Sequence, residues 1–155
     1  GTRPVLVELQ ALVAPSPHSQ ARRTVVGWDS GRLAMILAVL EARCGIPFAG
    51  LDVYLNVAGG MKVSEPAADL AVAAALLAAR EDTAMPKEGV VFGELSLPGG
   101  LRPVNQTENR LKEAQKLGFS SAIAPSRSKA GDGTGMQIRY MDDLVGFVGD
   151  VFGAG

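Results

Sequence analysis

Residues 63–79 read V-S-E-P-A-A-D-L-A-V-A-A-A-L-L-A-A, and what this stretch becomes decides the fold. Ser64 or Glu65 can open a helix, and Pro66 is acceptable in its first turn, where a missing N–H costs no hydrogen bond. From Leu70 to Ala79 the side chains are only Ala, Val and Leu. Side chains this small let neighbouring elements approach closely, so the spacing predicts a helix at the centre of the domain. Asp69 is the one charge after Pro66 in the stretch. It can pair with an arginine or cap backbone amides, and the residue types alone do not choose.

Upstream of this stretch, Asp52 to Val57 reads as a strand with Val53, Leu55 and Val57 inward, broken by Gly59-Gly60. Before it, Gly31 to Cys44 carries Leu33, Met35, Ile36, Leu37, Val39 and Leu40, a largely buried helix. Asp29 or Ser30 caps its start and Gly45 stops it, with Pro47 beyond. Val5 to Val13 alternates cleanly, and after a polar loop (Ala14 to Gln20) the segment Arg22 to Gly27 returns as a second strand. These two are expected to pair antiparallel.

Downstream, Val90 to Phe92 is a short strand, and Glu94–Leu97 with Leu101–Val104 forms a hairpin around Pro98-Gly99-Gly100. Thr107 caps a third helix ending at Gly118. Its stripe of Leu111, Ala114 and Leu117 is thin, which places it on the surface. Ser121 to Ala124 and Met136 to Tyr140 are strands separated by a flexible loop, Ser126 to Gly135. Asp142 caps a last helix bearing Leu144, Val145, Val148, Val151 and Phe152. With no repeat and no internal boundary, this order predicts one α/β domain, an α+β sandwich and not a Rossmann fold.

Composition narrows the function classes. The 155 residues suit one domain with a real core, and 47% apolar with 20% charged residues is a globular balance. A formal net charge of -1 means that any anion-binding role must come from local clustering of the 15 Lys and Arg. One cysteine, Cys44, and one histidine, His18, make neither a disulfide nor a Cys/His zinc site, and the lone cysteine fits a reducing compartment. The longest uncharged apolar run has ten residues, Leu70 to Ala79, against about 20 for a membrane span. The start lacks a signal-peptide layout and opens directly into a strand without methionine, as a fragment of a longer protein would.

Few single residues carry chemistry. His18 sits in a proline loop, Cys44 ends an apolar helix as a small buried hydrophobe, and Trp28 suits core or interface packing. Asp29 and Asp52 have no carboxylate partner at catalytic or metal-binding spacing. Gly131-Asp132-Gly133-Thr134-Gly135 has neither the lysine nor the following helix of a phosphate cradle.

Two long stretches carry a family resemblance: D-V-Y-L-N-V-A-G-G-M-K-V-S-E-P-A-A-D-L-A-V-A-A-A (52–75) and F-G-E-L-S-L-P-G-G-L-R-P-V-N-Q-T-E-N-R-L-K-E-A-Q-K-L-G-F (92–119). Together they resemble the Lon proteolytic-domain fold, a fold also found in a ribosomal protein domain. The match is closer to the Lon-like C-terminal domain of RadA-type (Sms) bacterial DNA repair proteins. R-P-V-L-V-E-L-Q-A-L-V, R-R-T-V-V-G and R-L-A-M-I-L-A-V-L near the start resemble that domain too, so the likeness covers nearly the whole chain.

The resemblance implies a serine at the position of Ala67 and a lysine at the position of Glu108, the dyad of Lon-type proteases. Both are absent, which implies a protease fold kept without its reaction. It further implies a homo-hexameric ring in contact with single-stranded or branched DNA. The parent is implied to be an ATP-driven branch-migrating helicase of recombinational repair, cytoplasmic and nucleoid-associated, working beside a RecA-type recombinase and away from membranes. No cofactor is implied for this chain. ATP, magnesium and zinc are implied for an N-terminal zinc motif and a RecA-like ATPase outside it. The phosphate-contact candidates are Arg22, Arg23, Arg32, Arg43, Arg102, Arg110, Lys112 and Lys116, each of which a solvated surface would also explain. Two other functions stay open: a residual serine peptidase of Lon type using Ser64 or another hydroxyl, and an oligomerisation module without DNA contact.

Overall fold

In a computed structural model, residues 8–58, 66–83, 89–103, 107–126 and 135–153 are described. Strand β1 (Glu8–Pro15), strand β2 (Arg23–Val26), helix α1 (Ser30–Cys44) and strand β3 (Leu51–Ala58) form the first half. A 3₁₀ turn (Pro66–Ala68) leads into helix α2 (Asp69–Glu81). Strand β4 (Gly89–Val91), the short hairpin β5 (Glu94–Leu95) and β6 (Leu101–Arg102), helix α3 (Thr107–Lys116), β7 (Ser121–Pro125), β8 (Gln137–Met141) and α4 (Leu144–Val151) complete it. The mixed α/β class is as the sequence predicts.

The first sheet corrects one expectation. Its order is β1-β3-β2, so β1 and β2 do not pair with each other. β3 pairs antiparallel with β1 (Leu12 opposite Tyr54) and parallel with β2 (Thr24 opposite Tyr54). The reason is α1: a helix between two strands carries the chain back to the starting end, so β2 and β3 run the same way. The inner face buries Val53, Leu55 and Val57 against the helices. Gly27 shows how tightly this crossover closes: its φ is +83°, and a β-carbon there would lie 2.9 Å from the Val57 carbonyl oxygen.

α1 and α2 form the core of the second layer. Asp29 accepts from the Gly31 and Arg32 amides and caps α1, and Gly45 ends it in the left-handed conformation. α2 is buried along most of its length, including Leu70, Val72, Ala73, Leu76 and Leu77, which confirms its central place. Ser64 and Glu65, its expected openers, lie outside the described residues, as do Gly59 and Gly60. α-Helical geometry starts only at Asp69, because Pro66 and two alanines bring no capping side chain and the entry tightens into the 3₁₀ turn.

The second sheet is parallel, in the order β4-β7-β8. α3 packs Leu111 against Phe92 and Ala122 in a satellite cluster. Ala114 is also buried, but Leu117 points out at 61% exposure. The cap of α4 is Asp143 and not Asp142: its carboxylate accepts from the Gly146 amide at 2.7 Å. The hairpin is tied to the start of α4, with the Gly99 carbonyl accepting from the Leu144 amide at 2.9 Å.

Candidate functional site

The start of α2 is where the Lon-type resemblance places a nucleophile, and Asp69 dominates it. The side chain is fully buried, at 0% exposure. Arg32, in the first turn of α1, grips it with two bonds: Nε donates to Oδ1 at 2.8 Å, and Nη2 donates to Oδ2. The Leu95 amide of β5 donates to Oδ2 at 2.9 Å. The alternatives left open by the sequence are therefore both realised: Asp69 pairs with an arginine and receives a backbone amide. One residue onward, the Leu70 amide donates to the Gly93 carbonyl at 3.0 Å. α1, α2 and the β4–β5 connection thus converge on one buried carboxylate.

The chemistry of this cluster is that of a fastener. Burial pushes the Asp69 carboxyl above the usual carboxylate range, against the downward pull of Arg32 and the Leu95 amide. The hydrogen bond to Asp69 raises Arg32 in turn, which keeps it charged. A carboxylate held on both oxygens by a guanidinium is oriented and occupied, a poor base and a poorer nucleophile. Asp69 also lies in the first turn of α2, where the helix dipole favours a negative group. Ala67 falls in the 3₁₀ turn and Glu108 in the first turn of α3; the side chains of both lie outside the described residues.

The basic candidates stand on different elements and in different settings. Arg32 is committed to Asp69. Arg110 corrects the expectation of a surface stud: it is buried at 6% exposure, and burial pushes its guanidinium below the usual arginine range. Its position four residues before Ala114, on the packed face of α3, was the signal for that. Arg23 folds back onto the Leu51 carbonyl and donates to the Phe48 carbonyl at 3.0 Å. Arg22 is exposed at the foot of β2, and Lys112 and Lys116 are exposed on α3.

Two candidates belong to the hairpin region. Arg43 lies against its turn, where a β-carbon at Gly99 would be 3.4 Å from Arg43 Cγ. Arg102 stands on β6, 66% exposed and 3.5 Å from Glu94.

Other singled-out residues settle simply. His18 is exposed in its loop, its amide on Ser16 Oγ at 3.2 Å. Trp28 is core, at 5% exposure, with its indole N–H unpartnered among the described residues. Cys44 is half-buried, and burial pushes its thiol up. Asp52 accepts from the Arg22 amide at 2.7 Å, a bond that holds its carboxyl below the ordinary range. Among the described residues no three His, Cys, Asp or Glu side chains group as metal ligands, and no helix is long and apolar enough to cross a membrane.

Comparison with known proteins agrees with the resemblance. A family model described as subunit ChlI of Mg-chelatase matches residues 31–128. A protein named DNA repair protein RadA from Brucella abortus is 62% identical over 128 residues, covering 83% of this chain and 27% of that protein. Its namesake in Synechocystis is 49% identical over 138 residues, covering 89% of this chain and 27% of the relative. The one in Aquifex aeolicus is 49% identical over 125 residues, covering 81% and 28%. The chain thus spans little more than a quarter of the length of these bacterial relatives. It belongs to the family that the ChlI model describes, and it is homologous to a segment of the DNA repair protein RadA.

Proposed function

We propose that this chain is a non-proteolytic Lon-like domain of a RadA-type protein, kept for its architecture. It builds a hexameric ring and helps to hold single-stranded or branched DNA for an ATP-driven branch-migrating helicase in recombinational repair. On this reading ATP, magnesium and zinc belong to parts of the parent beyond this chain, as does any RecA-type recombinase contact. The setting is the cytoplasm, at the nucleoid.

The observation that carries the reading is Asp69. At the mouth of α2, where a protease of this fold needs a free serine beside a lysine, the sequence supplies Ala67, and the buried carboxylate that begins α2 is occupied by Arg32 and Leu95. A site built to react would leave its reactive group unencumbered. The family relationship to RadA supports the DNA-repair setting.

The test uses the full-length parent. Charge reversal at Arg43, Arg102 and Lys116, all exposed, is expected to weaken DNA binding and flatten its salt dependence, with particle mass unchanged. Unchanged affinity with an intact ring would favour a pure oligomerisation module. A serine-reactive fluorophosphonate is expected to leave the chain unlabelled; labelling abolished by Ser64→Ala would establish a peptidase instead.

A further inference from the structure

The first sheet buries its inner face and leaves its outer face in solvent, where Leu12 is 58% exposed, Val26 57% and Tyr54 39%. Register places Leu12, Tyr54 and Thr24 in one row across β1, β3 and β2, with Tyr54 on the central strand. The adjoining row is Gln10, Asn56 and Val26. In it Asn56 Nδ2 donates to Gln10 Oε1 at 3.2 Å, which leaves Asn56 Oδ1 as an acceptor and Gln10 Nε2 as a donor, neither bonded among the described residues. On the other side of Tyr54 lies Asp52, buried and occupied by the Arg22 amide, while the Arg22 side chain is exposed. The other carboxylate residue of this face, Glu8, starts β1 in register with Ala58, about 13 Å along the strand from Leu12. That is beyond the screening length of about 8 Å at physiological salt, so the exposed charge beside the aromatic row is cationic.

We infer that this face is a stacking platform for single-stranded DNA: a base lies on the Tyr54 ring, the Asn56–Gln10 amides meet a base edge, and Arg22 takes a phosphate. Three features select that occupant. An exposed aromatic ring at the centre of an open sheet offers a π surface that any unpaired base can use. The free amide acceptor and donor in the next row match the mixed edge of a base, and an apolar partner would bury them unsatisfied. The exposed guanidinium of Arg22 complements a phosphate, and the buried carboxylate beneath it is already held by a backbone amide. A duplex hides its bases in its own stack and cannot use the ring. The inference rests on the DNA-holding role proposed above and says where the bases of a single strand would lie.

The probe is a fluorescein-labelled oligothymidylate of about a dozen nucleotides, a length that covers one binding platform, titrated against the 155-residue chain and followed by anisotropy over a series of salt concentrations. Tyr54→Leu keeps apolar bulk on the strand but removes the ring, and is expected to weaken binding by about tenfold with the salt slope unchanged. Tyr54→Phe keeps the ring and is expected to bind as the parent does. Arg22→Ala is expected to reduce the slope of log affinity against log salt by about 0.7, the share of one phosphate contact on a single strand. A duplex of the same length is expected to be indifferent to Tyr54→Leu. Affinity unchanged by Tyr54→Leu, in a chain that does bind the oligonucleotide, would overturn this inference and leave the DNA-holding role standing. No binding by the parent chain at low salt would overturn both. A change of particle mass in Tyr54→Leu without loss of affinity would assign the face to a second copy of the chain and overturn the inference as well.

Discussion

Asp69 and Asp52 are both buried carboxylates, yet they bend the pH dependence of stability in opposite directions. Asp69 binds its proton more tightly folded than unfolded, because desolvation outweighs Arg32 and Leu95. Its contribution to stability therefore falls as pH rises from the unfolded carboxylate range through the folded value. Removing Arg32 leaves only desolvation and one amide, so the cost of ionising Asp69 grows. Arg32→Ala is expected to lose about 3 kcal/mol at neutral pH and clearly less near pH 4, read from urea unfolding at the two pH values. An equal loss at both would mean that the arginine acts by packing alone. Asp52 is the reverse case: the Arg22 amide holds its folded carboxyl low, so its contribution is present above the unfolded range and lost as pH falls through the folded value. Asp52→Asn is expected to be less stable at neutral pH and to show a flatter acid limb than the parent, in the same unfolding series.

At the scale of elements, the close approach of α2 to the β4–β5 connection is a tight joint. A β-carbon on Gly93 would stand 3.3 Å from both Leu70 Cβ and Leu101 Cδ2, and the Leu70 Cβ is fixed to the helix backbone. Gly93→Ala is expected to cost about 1–3 kcal/mol, seen as a lowered urea midpoint with unchanged slope.

How much could be read in advance differs from one element to the next. α1 was legible to within a residue because its signals are local: an aspartate cap, an apolar face and a stop glycine. The partners of β1 and β2 were not, because strand pairing is chosen across the chain and period-2 alternation says nothing about the neighbour. The strand–helix–strand order of β2, α1 and β3 did hold the clue to a parallel pair. Asp69 was visible as an odd charge in an apolar helix, but its partner sits 37 residues away, on another element. Arg110 was misplaced because a charged residue beside a thin stripe reads as solvent-facing, although its place four residues before the buried Ala114 was there to be read.

At the scale of the whole molecule, the two three-stranded sheets remain separate and are joined by helices and the hairpin. Arg43 and the hairpin turn meet where α4 begins, so the charge-reversal set includes a pair of sites straddling the joint between the two halves. Loss of DNA affinity at Arg43 and Arg102 but not at Lys116 would locate the contact at this joint, and the opposite pattern would move it to α3. Phe147 of α4 is fully buried in the main core with α1 and α2, so Phe147→Ala is expected to cost about 3–5 kcal/mol and to destabilise the first half of the chain along with the second, as protection of β3 amides from hydrogen exchange would report.

The sheet order β1-β3-β2 also has a consequence for how the protein is made. A ribosome releases β1 and β2 first, but neither can pair with the other; each needs β3, which emerges only after α1 has been synthesised. At about 5–20 residues per second, the nascent chain spends a few seconds with two unpaired apolar strands in solution. The interval ends when residues 51–58 clear the exit tunnel and satisfy both edges at once. Slowing translation just before that point would lengthen the exposure, and a chaperone that reads extended apolar segments would find its target there.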